Sequence, residues 1–137
     1  MKDTEALFRL LIVGGFAIGL AGALIDLLIP ALVPETLKTA LESLDEEWSV
    51  PRIVATGVLC MGGLVVGVAS TVGLYLFKPW SRRLALVVTI LGFSGYFLFG
   101  PTVQSALSTM LIDASMMIWG GVLAMAYYSD LGGRFKP

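Results

Sequence analysis

Four stretches of this chain are long and apolar, and the segments between them are polar and contrast in charge. The first covers about residues 7–30, with Asp26 as its one acid, and the second covers 53–77 without any acid or base. The third covers 84–99 and stops at Gly100-Pro101; the fourth covers 107–128 and contains Asp113. A helix needs about 20 apolar residues, within a range of about 17–25, to cross a hydrocarbon core. Runs one, two and four meet that length, and the third does so once Arg82 and Arg83 extend their aliphatic stems to the interface. The pattern predicts an all-α integral membrane protein: a single domain, 1–137, folded as an antiparallel four-transmembrane-helix bundle with up-down connectivity. The first run exceeds the 7–15 apolar residues of a cleaved leader, so it is read as a span.

The connections refine this picture. Residues 31–52 form a long acidic link, in which Leu37, Ala40, Leu41 and Leu44 recur at helical spacing after Pro34-Glu35-Thr36. That spacing predicts a short amphipathic helix over about 35–44, capping the bundle or lying on the bilayer surface. The link 78–83, by contrast, is a basic turn holding Lys78, Arg82 and Arg83. Lys2 and Arg9 lie near the start of the first run, and Arg134 and Lys136 follow the last. Short loops rich in Lys and Arg stay on the cytoplasmic side. Both termini and the 78–83 turn are therefore expected inside, with the acidic link outside. Tyr75, Phe77, Trp80, Tyr127, Tyr128 and Phe135 fall at the same inner boundary, as an interfacial aromatic belt requires.

Composition agrees and narrows the chemistry. Of 137 residues, 57% are hydrophobic and 14% charged, against about 25% charged in soluble domains. The net charge of −1 lacks the basic clustering that nucleic acid requires, so the bilayer itself is the first expected partner. There is no histidine, and Cys60 is the only cysteine. Together these exclude an internal disulfide, a four-cysteine zinc site and a CxxC redox centre, and remove the commonest general base. No catalytic residue, metal site or cofactor is assigned.

Small residues mark helix-packing faces. Gly15 and Gly19 form one GxxxG, Gly63 and Gly67 another, and Gly120-Gly121 lies in the last run. Asp26 shares a helical face with Gly19 and Gly22, and Asp113 shares one with Gly120, so both carboxylates are expected to point into the bundle near its outer end. Arg52 falls at the same level, and Gln104 joins Ser105, Ser108 and Thr109 in a polar cluster there. These hydroxyls are expected chiefly to bond their own helix backbone. Asp26, Arg52, Asp113 and Gln104 thus form the candidate polar site. It has two readings: interfacial acids neutralised by Arg52, or a carboxylate site for a proton, a cation or a partner's basic group.

Known four-span families offer little. Small multidrug-resistance transporters carry a glutamate in the middle of their first span, where this chain has none, and the quinone-linked disulfide oxidoreductases require paired cysteines. The ending Trp119-Gly120-Gly121 with Tyr127-Tyr128-Ser129 and a basic tail resembles small bacterial inner-membrane proteins, which implies a multi-pass plasma-membrane location. The expected function is that of a small non-enzymatic membrane protein. It would serve as an accessory subunit or an immunity-type binder of another membrane protein, acting through helix packing and its outer face. The alternative is a small homo-oligomeric transporter or channel that passes protons or cations along Asp26 and Asp113. An enzyme acting on lipid at the outer interface is a third reading.

Overall fold

A computed structural model describes residues 2–43, 50–95 and 103–135, with side chains over 3–39, 54–95 and 103–135. Five α-helices follow one another: α1 (Lys2–Leu28), α2 (Glu35–Ser43), α3 (Val50–Tyr75), α4 (Ser81–Gly95) and α5 (Ala106–Tyr128). Short 3-10 segments occupy Pro30–Leu32 and Asp130–Phe135, and no strand occurs among the described residues. Three helical stretches are long and apolar enough to cross a membrane: Asp3–Leu28, Val54–Tyr75 and Ala106–Tyr128. α4 has 15 described residues, and the end of the third apolar run, 96–99, lies outside the described residues. α2 stands where the apolar spacing predicts the amphipathic helix; Leu44 is also outside the described part.

Local chemistry sets the helix ends. Asp3 and Glu5 sit in the first turn of α1, where the exposed amides favour negative charge. Its other end stops before Pro30, which disfavours helical backbone in the residue it follows; Ile29 accordingly adopts φ −128° and ψ 74°. α3 ends differently. Lys78 N–H donates to Gly73 O at 2.8 Å and Phe77 N–H to Leu74 O at 3.1 Å, a Schellman closure with Phe77 left-handed at φ 54°. Glycine usually fills that position, since a side chain there costs about 1–2 kcal/mol. Phe77 recovers the cost by packing: its ring lies 5.5 Å from Phe8, stacked, and 5.2 Å from Phe135.

Those rings belong to the core, which sits at one end of the molecule. Phe8, Ile12, Leu74, Ala85, Val122, Ala126, Leu131 and Phe135 form one buried cluster, where α1 and α4 begin and α3 and α5 end. We call this the basal end. The 3-10 segment after α5 folds back to bury Leu131 and Phe135, and Arg134 pairs with Glu5 of α1. Arg9 lies over Tyr75 and Phe77, and Arg82 lies over Tyr127 and Phe135 while donating to Ala126 O at 3.2 Å.

Beyond this base the helices form two pairs. α1 and α5 make the most extensive contact, α3 and α4 the next, and the pairs touch each other only slightly. In α3, the residues from Val54 to Val65 are almost all exposed, and burial begins only near Ser70. Within the described residues, packing is thus tight at the base and along α1–α5, and open around the distal half of α3.

Candidate functional site

The α1–α5 seam is built from glycines on one helix and hydroxyls on the other. A Cβ on Gly15 would lie 2.8 Å from Ile118 Cγ2, and one on Gly19 2.6 Å from Ser115 Oγ. At Gly22 it would meet Ile112 Cγ1 and Leu111 Cβ at 3.0 Å and the Ile112 backbone nitrogen at 3.1 Å. Only glycine permits this approach, and the approach brings side chains within reach of the opposite backbone. Ser115 Oγ donates to Gly15 O and Ser108 Oγ to Gly22 O, each at 2.8 Å. Along this series the α1 numbers rise as the α5 numbers fall, so the two helices run in opposite directions.

Asp26 ends the series. One carboxylate oxygen accepts from Ser105 N–H at 2.8 Å and the other from Ser105 Oγ. Ser105 is the N-cap of α5, with φ −68° and ψ 156°, and its hydroxyl oxygen accepts from Ser108 N–H at 3.1 Å. The first amides of a helix have no partner within it and carry the positive end of its dipole. Asp26 therefore caps a helix 79 residues further along the chain. A carboxylate otherwise costly in apolar surroundings gains two donors and a favourable dipole, with no cation required. Ser108 and Ser115 also depart from the expectation that membrane hydroxyls bond their own helix: both donate across the seam. The signal was present in the sequence, since 105, 108 and 115 share one helical face.

Of the remaining candidates, Asp113 does not join Asp26. Asp113 is exposed. Its face does contain Gly120, as the spacing implies, but that face is turned away from α1, contrary to the inward orientation expected for it. The seam uses Ser108, Ile112, Ser115, Val122 and Ala126, and Asp113 follows Ile112 by one residue, a rotation of about 100°. Asp113 also lies about 12 Å along the axis from Ser105, at 1.5 Å per residue. Gln104 is exposed in the segment leading into α5. Arg52 lies in the first turn of α3, and its side chain is outside the described residues.

The glycine pairs divide in the same way. Gly15 and Gly19 are filled by α5, whereas Gly63, Gly67, Gly120 and Gly121 have nothing within 4 Å of an added Cβ among the described residues. A second polar contact, Trp119 Nε1–H to Thr89 Oγ1 at 2.9 Å, ties α5 to α4. Among the described residues no group of three His, Cys, Asp or Glu side chains is placed to hold a metal. Asp26 and the serines are a structural clasp, and the distal α3 surface and the outward face of α5 are among the exposed apolar surfaces, with the outer faces of α1 and α4. No family model, curated protein or solved structure matches this chain.

Proposed function

We propose that the chain is a small, non-enzymatic integral membrane protein whose role is to assemble with another membrane component, as an accessory subunit or an immunity-type binder. In this reading α1, α3, α4 and α5 are four antiparallel spans. The basal end with Arg9, Lys78, Arg82 and Arg83 is cytoplasmic, and α2 lies on the outer side of a bacterial-type inner membrane. The charge asymmetry of the short loops supports that orientation.

One observation carries the assembly role. Gly15, Gly19 and Gly22 of α1 are filled by α5, and Gly73 near the end of α3 by Trp80 and Ser81, whereas Gly63, Gly67, Gly120 and Gly121 meet nothing among the described residues. Close contact between small residues is what drives helix association in lipid, so open stripes on two helices are available surface. The transporter alternative loses ground, because Asp26 is engaged by Ser105 and Asp113 lies on another face.

Isolation from native membranes in mild detergent tests the reading. A stoichiometric membrane protein should accompany the wild-type chain, and reporters fused to either terminus should both read cytoplasmic. Pure protein in liposomes should pass no protons or cations; a flux abolished by Asp113→Asn would replace this reading with the transport one.

A further inference from the structure

The outward face of α5 carries information about its occupant. Ala106, Met110, Asp113, Met117, Gly120, Ala124 and Tyr128 recur at intervals of three and four, and all are exposed, Met117 at 80% and Tyr128 at 92%. They lie opposite the seam with α1. Asp113 stands seven residues past the start of α5, or about 10 Å along it, inside a stretch long and apolar enough to cross a membrane. No hydrogen bond or ion pair among the described residues engages it. Charged side chains in such stretches ordinarily pair with an opposite charge, so the position calls for a cation.

The chain's own sequence shows where that cation can originate. Residues 10–28, 54–75, 84–95 and 106–128 contain no Lys or Arg, and Arg52 stands only about 3 Å past the start of α3, against about 10 Å for Asp113 past the start of α5. A second copy would bring an aspartate to the aspartate, which is repulsive, and would offer no base from its apolar stretches. Gly120 and Ala124, about two and three turns past Asp113 on the same face, leave room for another helix backbone.

We infer that the outward face of α5 docks a transmembrane helix of a different protein, one carrying a lysine or arginine within its hydrophobic span opposite Asp113. This rests on the reading of α5 as a membrane span and specifies the partner of the assembly role proposed above. Asp113 supplies selectivity for the base, and Gly120 and Ala124 supply the close approach.

The test uses the full chain in liposomes with designed single-span, leucine-rich peptides as probes, followed by energy transfer between labelled partners. One peptide carries a lysine about 10 Å from its outer end; the control carries leucine there. The lysine peptide should bind at least tenfold tighter than the control. Asp113→Asn should remove that preference, and Asp113→Glu should keep it. Asp113→Lys should reverse it toward a peptide bearing aspartate. Helix content and thermal stability should match wild type in every variant, because Asp113 is exposed and makes no hydrogen bond or ion pair among the described residues. Equal binding of lysine and leucine peptides would overturn the inference, and so would a preference that survives Asp113→Asn. Asp113-dependent association of the chain with itself would do the same in favour of a second copy. If a native stoichiometric partner is recovered but the lysine preference is absent, the assembly role stands and this inference alone fails.

Discussion

α1 and α3 carry the same sequence device and use it differently. Each has a GxxxG in an apolar helix of similar length, 27 residues against 26. In α1 the glycines abut Ile118, Ser115, Ile112 and Leu111, and two of the freed carbonyls accept hydrogen bonds from α5. In α3, Gly63 and Gly67 face open space, and the Gly67 carbonyl accepts instead from Ser70 and Thr71 of its own helix. A small-residue stripe therefore marks a capacity for close approach. Whether that capacity is spent inside the chain depends on what the opposing helix offers, here serines in register.

That contrast can be broken most severely at Gly22. Gly22→Leu would drive a side chain into the Ile112 backbone, which cannot yield as a side-chain tip can. A loss of about 3 kcal/mol is expected, at the upper end of overpacking costs, measured by denaturant unfolding in micelles. Asp26→Ala should follow. It strands the Ser105 amide and hydroxyl, an expected loss of about 2 kcal/mol. Ser105→Ala removes the hydroxyl contacts to Asp26 and Ser108 but keeps the backbone N–H that donates to Asp26, so with one contact shared the double variant should cost less than the sum of the two. Additive losses would separate Asp26 from the helix cap.

Ser108→Ala removes one interhelical hydrogen bond and should cost about 0.6 kcal/mol, typical of such bonds in membranes. Gly63→Leu should leave the isolated chain within about 0.5 kcal/mol of wild type. If Gly63→Leu instead destabilises the monomer as Gly22→Leu does, the distinction between α1 and α3 collapses. In the assembled state the order is expected to change, with Gly63→Leu weakening recovery of the partner while leaving the monomer stable.

Much of the scaffold was legible in the sequence because a run of apolar residues is a one-dimensional signal. Runs at 7–30, 53–77 and 107–128 correspond to α1, α3 and α5 within a few residues, and the spacing of Leu37, Ala40 and Leu41 marked α2. The rotational phase of α5 was harder to read. In water the apolar face of a helix points inward, but α5 is apolar on both sides, so Gly120 and the serines were equally eligible for the seam. Asp113 followed Gly120 to the outward face, and Asp26 met the N-terminus of a helix far along the chain, which the apolar pattern of α1 does not announce. The left-handed Phe77 was equally hidden, because what holds it is Phe8 and Phe135, 69 and 58 residues away.

The 79-residue interval between Asp26 and Ser105 has a temporal meaning as well. Chains grow at about 5–20 residues per second, so α1 is complete about 4–16 s before its clasp exists. Through that interval the acid near the end of α1 has no cap, and its glycine stripe has no cover. The seam must close late, as α5 arrives, by lateral association of helices already in place.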